Sequence, residues 1–126
     1  MVSAITIMVV DDSKGDRHLV KHHLKSMGLE NTLEAGDGET ALALLDKTKV
    51  DLIIADWYMP NMSGLIFYQK VQENKNLKDI PFLMTTAEET KEKIIQAMKL
   101  GIRHYIIKPF SPEDFKEKVK SLLKAA

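Results

Sequence analysis

The chain of 126 residues contains no cysteine, which excludes disulfides, a thiolate nucleophile and a cysteine-based zinc site. It also has no excess of charge, because 18 basic residues balance 18 acidic ones. This balance disfavours binding to nucleic acid or to anionic lipid. No apolar run approaches the roughly 18 to 20 residues that span a bilayer, and the start lacks the basic leader of a signal peptide. We therefore expect one soluble, cytoplasmic domain over residues 1–126, with no membrane insertion.

What the sequence does contain is an alternation of short apolar runs and amphipathic segments, repeated about five times. The short runs predict five strands, at residues 5–10, 32–35, 52–55, 82–85 and 104–107. Several are apolar on both faces, as is typical of central parallel strands covered by helices. The amphipathic segments predict helices whose apolar faces turn toward the sheet, carrying Leu19, Val20, Leu24 and Met27, then Leu42 and Leu45, then Ile94, Ile95 and Met98, and finally Phe115, Val119, Leu122 and Leu123.

Polar and glycine residues mark the expected ends of these helices. Asp37 and Ser111 are typical of helix N-termini, where a side-chain oxygen accepts a bond from a free N–H group. Gly28 and Gly101 follow apolar-periodic segments at the expected position of a left-handed C-terminal cap. Five strands joined by helices through right-handed crossovers predict an α/β fold, a doubly wound parallel sheet in the order 2-1-3-4-5 flanked by five helices.

Residues whose side chains can react or bind a ligand follow four of the five predicted strands. Ligands of such sheets bind beyond the carboxyl ends of the strands. At these ends lie Asp11 and Asp12, Asp56, Thr85 and Thr86, and Lys108. Three carboxylates at one edge repel one another, and a cation would relieve the repulsion. Because the ligands are all oxygen atoms, we expect Mg²⁺, with Mn²⁺ as a substitute.

The remaining groups at this edge suit a phosphoryl group. Lys108 offers a mobile positive charge, Thr86 a hydroxyl and Ala87 a backbone N–H, which we expect near the start of the fourth helix. A metal and a lysine that neutralise charge on a transferred group are the parts needed for phosphoryl transfer to a carboxylate. The central acid, Asp56, is the predicted acceptor.

Four segments in this order, MVVDDS, DWYMPNMSG, MTTAE and YIIKPF, make the chain resemble a known family. They resemble the receiver domain of two-component response regulators, a flavodoxin-like fold, and especially the single-domain CheY-like chemotaxis regulators. The resemblance covers essentially the whole chain. It implies that Asp12 and Asp56 bind Mg²⁺ directly together with the backbone carbonyl of Tyr58, while Asp11 acts through water. It also implies that Asp56 accepts a phosphoryl group from a histidine of a sensor kinase.

The resemblance further implies a switch. Thr86 and Lys108 would hold the phosphoryl oxygens, and the peptide bond before Pro109 would be cis. As Thr86 moves toward the phosphoryl group, Tyr105 would fill the vacated space and change the face made by the fourth helix, fifth strand and fifth helix. The implied partners are a sensor histidine kinase, a phosphatase and a downstream protein such as a flagellar motor switch component. The chain would catalyse only its own phosphorylation and dephosphorylation.

Other functions are compatible with parts of the pattern. A phosphorelay shuttle or a regulator of another signalling complex would use the same site. An aspartyl-phosphate hydrolase would need an Asp-x-Asp loop, whereas Trp57 and Tyr58 follow Asp56. A flavodoxin-like electron carrier would need a phosphate-binding loop after the first strand, where this chain has acids. An adaptor that is never phosphorylated would need neither the acceptor nor the metal-binding acids and the lysine, all of which this chain has.

Five side chains remain to be assigned. The resemblance implies that Tyr58 and Glu88 flank the site, and we expect them to control water access and hence the lifetime of the phosphoryl group. Trp57 is expected to be a half-exposed neighbour of the site. His18 and His22 have the spacing of two metal ligands, but without a third ligand they are more typical of a solvated helix face.

Overall fold

A computed structural model describes residues 5–87 and 90–125. It contains one parallel sheet in the order β2-β1-β3-β4-β5, which confirms the predicted topology. The strands are β1 (Ile7–Val10), β2 (Thr32–Ala35), β3 (Leu52–Asp56), β4 (Phe82–Thr86) and β5 (Tyr105–Ile107). The helices that alternate with them are α1 (Lys14–Ser26), α2 (Gly38–Leu45), α3 (Gly64–Glu73), α4 (Lys91–Lys99) and α5 (Pro112–Ala125).

The strand ends differ from the predicted ones by one or two residues because the neighbouring strands determine them. β1 begins at Ile7, two residues later than predicted, where its neighbours also begin to pair. β3 and β4 each extend by one residue, because Asp56 pairs with Thr85 and Thr86 pairs with Ile107. The two polar residues are therefore the last residues of their strands and are held by the sheet.

The predicted helix ends are confirmed. Asp37 precedes α2 and accepts a hydrogen bond from the backbone N–H of Thr40 at 2.7 Å. Ser111 accepts one from the N–H of Asp114 at 3.1 Å, in the first turn of α5. Gly28 and Gly101 have φ values of 81° and 112°, a conformation that favours glycine. These ends position the loops that carry the polar residues.

Apolar residues fill both faces of the sheet, which agrees with the predicted doubly wound fold. On one face Ile54 and Leu83 pack with Phe115 of α5 and Leu24 of α1. On the other face Met8, Ile53 and Met84 pack with residues of α2 and α3. The sheet edge that carries the polar residues is thus supported from both sides.

The predicted orientation of α4 is wrong. Ile95 and Met98, which we expected to face the sheet, are 40% and 55% exposed. The buried residue of this helix is the small Ala97, and Ile94 is half-buried. In α1, Leu19 is likewise exposed. An apolar residue at helical spacing fits a face that meets solvent or a partner as well as one that meets the sheet, so the pattern could not distinguish them.

Within residues 5–87 and 90–125, no helix combines the length and the apolar character that crossing a lipid bilayer requires.

Candidate functional site

Carboxylates from two strands meet at the carboxyl edge of the sheet. Asp11 and Asp12 directly follow β1, and Asp56 ends the adjacent β3. Each of the three acids offers an oxygen atom, and these oxygens lie within 4.8 Å of one another. Asp11 and Asp56 are buried, whereas Asp12 is exposed. The predicted acids therefore come together.

Lys108 lies at the centre of this group. Its Nζ atom donates hydrogen bonds to Asp11 Oδ2 and Asp16 Oδ2, each at 3.0 Å, and lies 3.3 Å from Asp56 Oδ1. Its backbone N–H also donates to the carbonyl oxygen of Thr86 at 2.7 Å, which ties it to the end of β4. The sequence analysis missed Asp16. A signal was present, because an acid in the first turn of α1 lies at the same edge as the end of β1.

The electrostatics of Asp56 reflect a crowded, partly desolvated site. The pKa of its carboxyl is raised to about 6, chiefly by burial and also by the charges of Asp11 and Asp12, which together outweigh the opposing effect of Lys108. For Lys108, burial lowers the pKa, but the hydrogen bonds to Asp11 and Asp16 and the charge of Asp56 outweigh burial and raise it overall. The lysine is thus charged, yet it does not compensate the carboxylates fully.

These residues fit a hard divalent cation. The converging ligand atoms are all carboxylate oxygens, which Mg²⁺ and Mn²⁺ prefer. The exposed position of Asp12 leaves room for water ligands, which Mg²⁺ usually keeps. The raised pKa of Asp56 shows that added positive charge would be favourable. The cluster can therefore hold a metal ion.

Backbone contacts position the first acid. Asp11 Oδ1 accepts a hydrogen bond from the N–H of Ser13 at 2.9 Å, and the Asp11 carbonyl accepts one from Arg17 Nη1 at 2.5 Å. Arg17 also pairs with Glu34 of β2 at 3.1 Å, and Lys21 pairs with the same glutamate at 2.8 Å. This network joins α1 and β2 to the loop that carries the acids.

The loop after β3 turns back closely on the strand. The N–H of Gly64 donates to the carbonyl of Trp57 at 2.6 Å. A Cβ atom at Gly64 would lie 2.2 Å from the carbonyl oxygen of Asp56, so only glycine fits there. Trp57 is 5% exposed, not half-exposed as predicted, because its N–H still bonds to Thr85 of β4 and holds it against the core.

Tyr58 is the exposed aromatic residue beside the site, 46% exposed. Its ring stacks on that of Trp57, with centroids 5.6 Å apart and planes inclined by 11°. Lys93 of α4 lies over the Tyr58 ring at 5.8 Å from the centroid. The tyrosine thus bridges the loop after β3 and the first turn of α4. Glu88, the other residue predicted to control water access, lies outside the described residues.

The remaining predicted site residues lie on β4 and β5. Thr86 is fully buried at the end of β4, and Tyr105 begins β5, half-buried against the core. Ala87 is exposed in the loop after β4, and α4 begins four residues later at Lys91, so the expected position of Ala87 near the start of the helix is wrong. The peptide bond between Lys108 and Pro109 is cis, as expected.

Within residues 5–87 and 90–125, His18 and His22 join no group of three converging ligand-type side chains. Among the described residues, Asp11, Asp12 and Asp56 form the group of three ligand-type side chains whose ligand atoms converge. The two histidines instead line an open surface groove on α1 together with Lys21 and Lys25.

Comparisons with known proteins agree with this geometry. The response regulator receiver domain family matches residues 7–120. Chemotaxis protein CheY-3 of Vibrio cholerae is 41% identical over 116 residues, covering 92% of this chain and 89% of that protein. A chemotaxis protein CheY homolog of Campylobacter jejuni is 42% identical over 118 residues, covering 93% of this chain and 91% of that protein. The structure of Vibrio cholerae chemotaxis protein CheY4 superposes with a TM-score of 0.87 at 35% identity, covering 96% of this chain and all of that one.

Proposed function

Since this chain belongs to the response regulator receiver family, we propose that it is a chemotaxis regulator switched by phosphorylation of Asp56. The observation that carries the proposal is the position of Asp56, which ends a central strand between two other acids and Lys108. Asp56 combines burial, a pKa raised to about 6 and a lysine 3.3 Å away. The relatives named above are chemotaxis proteins, which favours the same pathway here.

In the proposed reaction a carboxylate oxygen of Asp56 attacks the phosphorus of a phosphohistidine on a sensor kinase. The new O–P bond forms as the N–P bond breaks, and the imidazole nitrogen leaves with the bonding electrons. Mg²⁺, held by Asp12, Asp56 and the backbone carbonyl of Tyr58 with Asp11 acting through water, would supply positive charge for the phosphoryl oxygens. We also propose a cytoplasmic location, because the kinase draws its phosphoryl group from cytoplasmic ATP.

Three groups of the chain would hold the transferred phosphoryl group. Lys108 already lies 3.3 Å from Asp56 Oδ1 and would turn a donor toward a phosphoryl oxygen. The Thr86 hydroxyl and the Ala87 N–H, at and just beyond the end of β4, would donate to the others. The protein would catalyse only its own phosphorylation and the hydrolysis of the phosphoryl group on Asp56. Its signalling output would be a changed surface.

The surface proposed to carry the signal comprises α4, β5 and α5. Its support is the exposed apolar pair Ile95 and Met98, together with the half-buried switch candidate Tyr105. Tyr105 and Lys118 line a groove between β5 and α5. Exposed apolar side chains suit a partner segment that is apolar. In a chemotaxis pathway that partner would be a flagellar motor switch component.

The acceptor assignment is tested by titrating Mg²⁺ and then a small acyl phosphate donor while recording Trp57 fluorescence. We expect a change with metal, a further change with donor, and mass-spectrometric label on Asp56. Asp56→Asn should lose the second step, and Asp79→Asn, which removes an exposed acid from the loop before β4, should behave as wild type. Label on another residue, or equal labelling of Asp56→Asn, would refute the assignment.

The output surface is tested by measuring binding to the motor switch protein with and without beryllofluoride, a phosphoryl mimic. We expect the mimic to tighten binding. We expect the double substitution Ile95→Ser and Met98→Ser to remove this increase in affinity. The matched control is Ile66→Ser, because Ile66 is equally exposed but lies on α3. A loss of the same size in the control would contradict the proposed surface.

A further inference from the structure

Lys108 is surrounded by three carboxylates in the resting site. Its ammonium group has three N–H donors, of which two bond to Asp11 and Asp16 at 3.0 Å, while Asp56 Oδ1 lies 3.3 Å away. A phosphoryl oxygen that binds Lys108 therefore competes with these acids, and binding through an occupied donor displaces one of them. The exchange is part of phosphoryl capture, and its ease depends on which acid is displaced.

Asp16 is the acid whose release is least costly. Its side chain is 48% exposed, against 4% for Asp11 and 12% for Asp56. An exposed carboxylate regains water when it loses its partner, whereas a buried one stays desolvated and is left without a compensating partner. Asp11 is also fixed by Ser13, and Asp56 carries the reacting oxygen.

Stabilising its own helix does not account for the position of the Asp16 side chain. An acid in the first turn of α1 interacts favourably with the helix dipole wherever its side chain points. The cap itself is made by Ser13, whose Oγ accepts from the N–H of Asp16 at 3.2 Å. Asp16 Oδ2 instead crosses to Lys108, 92 residues away in sequence.

We propose that Asp16 is a positioning residue, a resting counter-ion that occupies one donor of Lys108 until a phosphoryl oxygen replaces it. The proposal rests on the proposed function, since it needs phosphorylation of Asp56. With a small acyl phosphate as donor in place of the phosphohistidine, an oxygen of Asp56 bonds to phosphorus as the bond from phosphorus to the acyl oxygen breaks and a carboxylate leaves. Asp16 touches neither the metal-binding oxygens nor the reacting atoms in this scheme. It competes with the phosphoryl oxygens for the ammonium group of Lys108.

Removing the competition should favour the phosphorylated state. Asp16→Asn removes the negative charge of this partner, so a phosphoryl oxygen should replace the remaining amide oxygen on Lys108 more readily than it replaces a carboxylate. We expect the rate constant for labelling by a small acyl phosphate, and the affinity for beryllofluoride in Mg²⁺, to rise about two- to fivefold, the factor associated with an exposed ion pair. Asp16→Glu keeps the carboxylate and should remain close to wild type.

A double-mutant cycle separates this effect from simple charge repulsion of the donor. If Asp16 acts through Lys108, Asp16→Asn should change nothing in a Lys108→Met background. If the increase persists there, Asp16 acts by general repulsion and the proposal is wrong. Asp79→Asn gives the effect of one lost charge far from the site, and urea unfolding verifies that each variant is folded during the assay.

The possible failures are distinguishable. Wild-type labelling at Asp56 with no increase in Asp16→Asn overturns the role of Asp16 and leaves the proposed function intact. Absence of Asp56 labelling in both proteins overturns the proposed function, and the role of Asp16 with it. An increase in Asp16→Asn that Asp16→Glu shares would also refute the proposal, because the longer acid retains the counter-ion.

Discussion

Replacing Asp56 by asparagine should stabilise the metal-free protein at neutral pH, although the substitution removes the proposed phosphoacceptor. The wild-type carboxylate is buried beside Asp11 and Asp12, and its pKa rises from an ordinary 3.8 to about 6. A raised pKa means that the ionised form is less favourable in the fold than in the unfolded chain. Asparagine has the same shape without the charge.

The size of the effect follows from the pKa. A change from 3.8 to about 6 corresponds to about 3 kcal/mol between the two protonation states. This figure already includes the attraction between Lys108 and the Asp56 carboxylate, because that attraction is among the effects that set the pKa. We therefore expect the free energy of unfolding to rise by at most about 3 kcal/mol at pH 7.5.

The pH dependence gives the effect a distinct signature. Because the folded pKa of Asp56 is raised, its destabilising effect is present above pH 6 and disappears as the pH falls toward 3.8. The difference between Asp56→Asn and wild type should therefore shrink over this range. Urea unfolding in EDTA, followed by far-UV circular dichroism and Trp57 fluorescence, measures it at each pH.

Two comparisons decide the result. Mg²⁺ at the proposed site would bind only the folded protein and should therefore stabilise wild type more than Asp56→Asn. Asp79→Asn removes an exposed carboxyl at the other end of the sheet and is the control for the loss of one charge far from the site. The reasoning is refuted if Asp56→Asn is no more stable than wild type at pH 7.5, or if the difference between them does not change with pH.

Three further predictions concern the fold. Gly64→Ala should cost about 2–3 kcal/mol in urea unfolding, since its Cβ would overlap the backbone of Asp56; an unchanged midpoint would show that the loop relaxes freely. Phe115→Ala should cost about 3–5 kcal/mol, because the ring is fully buried, and a cost below 1 kcal/mol would contradict its place in the core. Burial and nearby positive charges lower the pKa of His23 below 6.5, so stability should fall as pH drops below that value. In the Asp56→Asn background, adding His23→Phe should reduce this acid-induced loss of stability. An equal loss with and without His23→Phe would mean that other groups cause it.

The sheet and the placement of its polar edge were predictable because both depend on patterns that local physics strongly constrains. Continuous apolar runs separated by amphipathic segments admit few arrangements other than a covered parallel sheet. Once the strands are known, their carboxyl ends bring Asp11, Asp56 and Lys108 to one edge. The glycine caps at Gly28 and Gly101 were predictable for a similar reason, since a positive φ favours one residue type.

Features that depend on how elements are oriented relative to one another could not be read from the sequence. Asp16 reaches Lys108 only because α1 lies over the edge of the sheet at a particular rotation. Trp57 is buried because the chain keeps pairing with β4 for one residue beyond the strand. The apolar residues of α4 match a core-facing pattern, yet the helix turns Ala97 inward instead.

The burial of a single small residue on α4 has a consequence for how this helix behaves in solution. Ala97 leaves little apolar area to anchor the helix, whereas α5 is anchored by Phe115, Val119 and Leu122. Segments with few buried apolar contacts open locally at a small fraction of the global unfolding free energy, so their amide hydrogens exchange early with deuterated solvent. Amides of α4 would thus exchange long before those of α5, and a partner that clamps α4 would register as slowed exchange even where the average coordinates scarcely move.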